Sequence, residues 1–283
     1  MRLPTRLLPR KTDSHKGDFG HVLILAGSAR FSGAAVLCAQ ACSRAGAGLV
    51  TLGIPQSLNN VFIKIKPTEA MTLPLPETEE ITLSSKAFGK VREFAKKINV
   101  LVIGPGLSQN KSTQSLIRKL VVCGNKPLVI DADGLNALAG YLSVLPNKVP
   151  VILTPHPGEM ARLLDVRISQ VQKDRKKVAK DFVNRYNVIL VLKGHQTLVV
   201  EKNRELFINK TGNPGMAKAG SGDVLTGIIA AFLAQGLNGF EAAKYAVYLH
   251  GLAGDLAAKE KSQLAMIASD IIEKLPKAIK ICS

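Results

Sequence analysis

Along most of the chain, short β-branched or leucine-rich runs alternate with longer stretches of helical period, the pattern of successive parallel βα units. The apolar runs predict strands at Val22–Ala26, Leu49–Gly53, Val100–Gly104, Leu128–Asp131, Val151–Thr154, Val188–Leu192, Thr197–Val200 and Glu205–Ile208. The intervening periodicity predicts helices at Gly33–Ala45, Ser112–Val122, Asn136–Tyr141, Gly158–Leu164, Ser169–Tyr186, Gly222–Gln235, Phe240–Lys259 and Ala268–Lys277. Most of the strands are nearly continuous in apolar residues, as expected where helices cover both faces of a sheet. A hairpin is expected across residues 201–204, and the Pro- and Glu-rich stretch Pro67–Glu80 is the best loop candidate. No internal repeat or long polar linker divides the pattern, so the expectation is one doubly wound, mostly parallel α/β domain over residues 1–283.

Composition narrows the class. At 46% hydrophobic residues in 283, a large core is possible, and disordered, collagenous and disulfide-scaffold chains are excluded. No segment reaches the roughly 18 apolar residues of a membrane span; the longest near-apolar stretch, Val224 to Leu237, contains Thr226 and Gln235. The N-terminal MRLPTRLLPRK has neither an apolar run nor a small-residue cleavage site, so a cytoplasmic protein without membrane attachment is expected. Cys38, Cys42, Cys123 and Cys282 show no metal-ligand spacing and read as reduced structural thiols.

The 38 Lys and Arg residues against 21 Asp and Glu leave a formal charge of +17, which raises the question of nucleic acid. The basic residues are mostly scattered singly, and neither the N-terminal cluster nor Lys173 to Lys180 (KDRKKVAK) is interleaved with aromatics. With so few stacking platforms, no nucleic-acid partner is expected, and Lys173–Lys180 reads as a solvated helix face.

Ligands of open α/β sheets bind beyond the carboxyl ends of the strands, and the residues there are strongly patterned. They read Gly27-Ser28-Ala29-Arg30-Phe31-Ser32-Gly33-Ala34-Ala35, Gly104-Pro105-Gly106, Asp131-Ala132-Asp133-Gly134-Leu135-Asn136, Thr154-Pro155-His156-Pro157-Gly158-Glu159 and Lys193-Gly194-His195-Gln196-Thr197. The most informative segment is Thr211 to Asp223, which ends Ala219-Gly220-Ser221-Gly222-Asp223 and runs into an apolar helix. Glycines 220 and 222 let backbone N–H groups approach a ligand, and the helix N-terminus adds unpaired donors and partial positive charge, so a phosphate would be held there. A carboxylate repels phosphate, so Asp223 either caps the helix or accepts the proton of a hydroxyl undergoing phosphorylation. Lys218 could neutralise phosphate charge or simply face solvent. His156, between two prolines after a strand, is a better site candidate than His15 or His250, which read equally as loop or core histidines. Neither a Walker-type G-x-x-x-x-G-K-[ST] nor a G-x-G-x-x-G after the first strand is present.

Taken in order, Ser14-His15-Lys16-Gly17, LILAGS at 23–28, SGAA at 32–35, RAGAGLVTL at 44–52, GPGL at 104–107, DADGLNAL at 131–138, TPHPGE at 154–159, LKGHQT at 192–197 and GNPGMAKAGSGDVLTG at 212–227 resemble the ADP- or ATP-dependent NAD(P)H-hydrate dehydratases of the ribokinase-like superfamily. The resemblance implies metabolite repair: nucleotide-driven dehydration of hydrated NADH or NADPH, the (6S) epimer, through phosphorylation of the hydrate hydroxyl and loss of phosphate. It makes Asp223 the base, with Ala219, Gly220, Ser221 and Gly222 as backbone donors to the transferring phosphate. Lys193, Gly194, His195, Gln196, Thr197 and Gly222 would hold the nucleotide, and Ala34 or Ala35, Gly106, His156 and Asp223 the hydrated cofactor. Mg²⁺ would bridge phosphates, with Asn136 and Glu159 candidates for its water shell. Relatives with an N-terminal epimerase domain exist, but the matching blocks here begin by residue 14, so no such domain is expected; a homo-oligomer is. The nearest rival is a kinase of a small vitamin-precursor alcohol. Both expected ligands are polyanions, so the diffuse positive charge would raise their encounter rates.

Overall fold

Alternate residues of the strands point to opposite faces of one sheet, and each face has its own core. In the computed structural model, which describes residues 1–283, nine strands lie in the order β3-β2-β1-β4-β5-β6-β7-β8-β9. They are β1 His21–Leu25, β2 Leu49–Pro55, β3 Met71–Leu75, β4 Val100–Ile103, β5 Leu128–Ile130, β6 Val151–Leu153, β7 Ile189–Leu192, β8 Leu198–Val200 and β9 Phe207–Ile208. The first seven pair in parallel, and β8 and β9 are antiparallel additions. The helices are α1 Ser32–Arg44, α2 Asn59–Ile65, α3 Phe88–Phe94, α4 Lys111–Val122, α5 Asp133–Leu138, α6 Pro157–Leu164, α7 Ile168–Lys173, α8 Arg175–Tyr186, α9 Ser221–Ala234, α10 Gly239–Ala265 and α11 Ala268–Cys282. No helix is long and apolar enough to cross a membrane.

Val22, Ile24, Val102, Val129, Ile152 and Val191 share one core with α1, α2, α9, α10 and α11. Leu23, Leu25, Ile103, Ile130, Leu153 and Leu192 face the other, against α3 to α8. The period of two thus accounts for runs that are apolar at every position. Helix α9 lies deepest: twelve of its fourteen residues are buried, so it is apolar all round rather than amphipathic. It meets α1 backbone to backbone at Gly227, where any Cβ would overlap the Cys38 carbonyl oxygen.

Four expectations are corrected. Pro67–Glu80 is not simply a loop, because it contains β3, whose edge position tolerates the missing N–H of Pro74. The helix expected over Ser169–Tyr186 breaks at Asp174, which leaves helical geometry and caps α8 by accepting from the Lys177 N–H at 2.9 Å. The helix expected over Phe240–Lys259 runs on to Ala265, with Ser262 non-helical inside it. Lys173–Lys180 is only partly a solvated face: its four lysines are exposed, but Arg175 turns inward onto the end of β7. Helices α2 and α3 were not foreseen, since with one buried residue each, Phe62 and Val91, they display no period.

Candidate active site

The strand order reverses between β1 and β4, whose following helices lie on opposite faces, and this opens a crevice beyond their carboxyl ends. On its floor, Asp131, the first residue after β5, is 1% exposed and fully committed. Its Oδ1 accepts from Lys193 Nζ at 2.7 Å and its Oδ2 from the Thr226 hydroxyl of α9 at 2.8 Å. Lys193 Nζ also lies 3.7 Å from Glu159 Oε2. Burial pulls the lysine down, but the carboxylates of Asp131 and Glu159 outweigh it and hold Lys193 above the ordinary lysine value. A Cβ at Gly222 would lie 3.4 Å from Lys193 Nζ and 3.9 Å from Asp131 Oδ2, so the first turn of α9 borders the ion pair directly.

Asp223 stands in that first turn. Burial first, then the neighbouring charge of Asp131, pushes its carboxyl up to about 7, even though Lys193 pulls the other way. A carboxyl poised there can take and return a proton near neutral pH. Ahead of it, Gly220 has φ +88°, a left-handed N-cap that suits glycine and turns the chain into the helix. The N–H groups of Ala219, Gly220, Gly222 and Asp223 donate to no backbone carbonyl, while that of Ser221 makes only a 3.4 Å bond to the Lys218 carbonyl. Unpaired donors and the helix dipole together suit an anion. Lys218 does not serve it, since its ammonium donates to the Leu264 carbonyl at 2.6 Å.

His156 caps α6. Its Nδ1 accepts from the Gly158 N–H at 2.9 Å and the Glu159 N–H at 3.3 Å, so the neutral ring carries its proton on Nε2, 3.5 Å from Glu159 Oε1. Glu159 Oε2 in return accepts from the His156 N–H at 2.8 Å. Burial lowers the histidine below its usual value, against the pull of Glu159.

Arg175 shapes the segment after β7, donating to the carbonyls of His195 at 2.5 Å, Leu192 at 2.9 Å and Lys193 at 3.1 Å. Gly194, His195 and Gln196 are left exposed, and the Thr197 hydroxyl closes the turn on the Gly194 carbonyl at 3.0 Å. At the other end of the crevice, Ser28 donates to the Gly106 carbonyl at 2.8 Å, and a Cβ at Gly106 would lie 3.1 Å from Ala34 Cβ.

The structure therefore gathers Lys193, Glu159, Gly222 and Asp223 around one point, with His156 beside Glu159, and pairs Ala34 with Gly106. Ala35 is fully buried, facing Gly27. Asn136 is engaged apart, its Nδ2 donating to Asp133 Oδ1 at 3.1 Å and its Oδ1 accepting from Arg162 Nε at 3.0 Å. Sequence reasoning placed Asp131 at the crevice without a role and passed over Thr226 and Arg175. For Asp131 a signal existed, an acidic residue directly after an apolar strand; Thr226 and Arg175 are hidden inside helical patterns.

The family described as NAD(P)H-hydrate dehydratase matches residues 22–277. A bifunctional NAD(P)H-hydrate repair enzyme of Moorella thermoacetica is 46% identical over 275 residues, which are 96% of this chain and 52% of that protein. The ADP-dependent (S)-NAD(P)H-hydrate dehydratase of Neisseria meningitidis serogroup B is 38% identical over 277 residues, covering 96% of this chain and 88% of that one. The chain spans about half the length of the bifunctional relatives it matches. Among solved structures, an ADP/ATP-dependent NAD(P)H-hydrate dehydratase from Bacillus subtilis co-crystallised with ATP/Mg²⁺ superposes with a TM-score of 0.85 at 32% identity, over 100% of this chain and 95% of that one. A ribokinase-like superfamily protein from Enterococcus faecalis gives 0.84 at 28% identity, over 100% and 96%. The expected ribokinase-like α/β fold is the one observed.

Proposed function

The chain belongs to the NAD(P)H-hydrate dehydratase family, and on that premise we propose that it returns hydrated NADH or NADPH, in the (6S) form, to NAD(P)H at the expense of ADP or ATP. The observation that carries this reading is a carboxyl held near 7, Asp223, in the same helical turn as unpaired backbone N–H groups. Hydroxide is a poor leaving group and a phosphate ester a good one. Asp223 takes the proton of the hydrate hydroxyl as its oxygen attacks the terminal phosphorus of the nucleotide, releasing AMP from ADP or ADP from ATP. The N–H groups from Ala219 to Gly222 receive the charge on the transferring phosphoryl oxygens. The carbon–oxygen bond then breaks with its electron pair leaving on phosphate, and a proton lost from the adjacent ring carbon restores the double bond.

Lys193, Gly194, His195, Gln196 and Thr197, with Gly222, hold the nucleotide phosphates, and the exposure of 194–196 supports that assignment. Ala34, Gly106 and the His156 Nε2–H face the hydrated nicotinamide. No cluster of three or more His, Cys, Asp or Glu forms an all-protein cage, and the oxygen donors suit an ion held chiefly by phosphates and water. Glu159 fits a water-mediated contact to Mg²⁺ through Oε1, and Asn136 does so only with its second lone pair; the ion would neutralise charge between phosphates. Under the same reading the chain self-associates, which is supported by exposed Val61, Ile63, Ile65 and Met71 at the β3 edge. Light scattering is expected to give a mass of at least two chains, and a monomer would remove that part.

The test of the activity is return of reduced-nicotinamide absorbance when hydrated NADH or NADPH is supplied with ADP or ATP, with one phosphate released per cofactor. No recovery of absorbance, together with accumulation of an alcohol substrate as its phosphate ester, would replace the dehydratase reading with a kinase.

A further inference from the structure

One face of α10 lies along the whole segment that leads into the anion site. Asp255 accepts from the Gly212 N–H at 2.9 Å and from Asn213 Nδ2 at 3.0 Å. The Thr211 hydroxyl donates to the Tyr248 carbonyl at 2.9 Å. Any Cβ at Gly251 would overlap Thr211, and one at Gly254 would overlap Met216, so helix and segment touch without a gap. Residues 217–220 then cross to α9, and where they arrive a second hold exists. Ser221 is 8% exposed, with its hydroxyl within 3.3 Å of Nε2 of His250, a residue itself only 9% exposed. The chemistry described above uses neither side chain.

We propose that His250 is a positioning residue for phosphoryl transfer: through the Ser221 hydroxyl it fixes the first turn of α9, and so the direction in which the Gly222 and Asp223 N–H groups and the Asp223 carboxyl point. The inference rests on the phosphoryl-transfer reading of the site. Three features support it. The contact joins residues 29 positions apart exactly where the glycine-rich segment becomes helix, so it restrains a point that local sequence leaves free. Burial holds the ring well below the usual histidine range, at about 4, so it stays neutral and brings no charge to compete with Lys193 for phosphate. Donor geometry is also where small displacements matter most, because stabilisation of a transferring phosphoryl group falls steeply as hydrogen bonds lengthen.

The experiment compares wild type, H250L, H250Q, S221A and the S221A/H250L double variant by kcat and KM with hydrated NADH, by ADP affinity from calorimetry, and by melting temperature. One lost neutral hydrogen bond acting on the transition state predicts a fall in kcat of about tenfold for H250L and for S221A, with KM for hydrated NADH within about twofold. The double variant is expected to be no slower than the slower single variant, because both act through one contact. H250Q, whose amide can reach the serine, is expected to recover most of the rate. A purely packing histidine would instead give H250L a lower melting temperature with unchanged kcat, and that result, or losses that multiply in the double variant, overturns the proposal. If H250L does not fold, S221A decides alone, since wild-type kcat there is also fatal. Failure of wild type to turn over hydrated NADH counts against the dehydratase reading instead; ADP affinity then tests His250, being expected to weaken in H250L and S221A, with equal affinities overturning it.

Discussion

Asp223→Asn is expected to lower kcat by about 10²–10⁴-fold, the usual range for loss of a general base, while ADP and ATP still bind and the folded protein gains stability at alkaline pH. The loss of rate and the gain in stability share one cause. The carboxyl sits at about 7 because burial and the charge of Asp131 disfavour its ionised form, whereas in the unfolded chain it ionises near 4. A raised carboxyl means that the folded state binds the proton more tightly than the unfolded one does. Stability attributable to this group is therefore intact in acid, falls as pH rises from about 4 to about 7, and stays depressed above that. The full deficit is on the order of 4 kcal/mol as an upper bound. Asparagine cannot ionise, so the difference in melting temperature between variant and wild type should be near zero at pH 4 and largest at pH 8. For wild type the same carboxyl is expected to set the acid limb of kcat/KM near pH 7. Near-wild-type turnover, or a variant no more stable than wild type at pH 8, would remove Asp223 from the role of base.

Lys193→Ala should raise the nucleotide KM and destabilise the fold together. Removing the ammonium leaves Asp131, 1% exposed, with only the Thr226 hydroxyl. Breaking a buried ion pair costs about 3–5 kcal/mol, and because the Lys193 side chain keeps 18% of its exposure the lower end applies. Held above the ordinary lysine value, Lys193 contributes this stability fully at neutral pH and loses it only as pH rises through its own ionisation in strong alkali. Its loss also removes the charge that pulls the Asp223 carboxyl down, so the acid limb of the rate profile should move to higher pH. Pairing K193M with D131N removes both charges and is expected to recover most of the stability with none of the nucleotide affinity. An unchanged nucleotide KM in Lys193→Ala, measured by initial rates, would detach the lysine from the nucleotide.

The sheet was legible because burial on both faces makes each strand a dense apolar run, and the crevice was legible because glycine, proline and polar residues cluster after those runs. Asp223 stood out because it follows directly on a glycine-rich cluster, and Lys193 because it opens the segment that resembles the family's nucleotide-holding one. What escaped was whatever depends on distant partners. Thr226 looks like one more residue of an apolar helix until Asp131, 95 positions away, is seen to accept its proton. Arg175 belongs to a lysine-rich string, and only the break at Asp174 turns it toward three carbonyls of the β7 loop. The β3 strand was obscured by Pro74, a residue that an edge tolerates and a central strand does not.

The depth of α9 has a consequence for how the protein tolerates change. Its first turn lines the crevice while its remaining turns are wedged between α1 and α10, in backbone contact at Gly227. Beyond that first turn, which the Ser221–His250 contact holds, the helix cannot shift without the core shifting too. Substitutions at Cys38 or Gly227, in the packed contact behind that turn, are accordingly expected to lower kcat together with the melting temperature. Under the proposed reading, this side of the crevice is set by the core and not by the nucleotide it would receive.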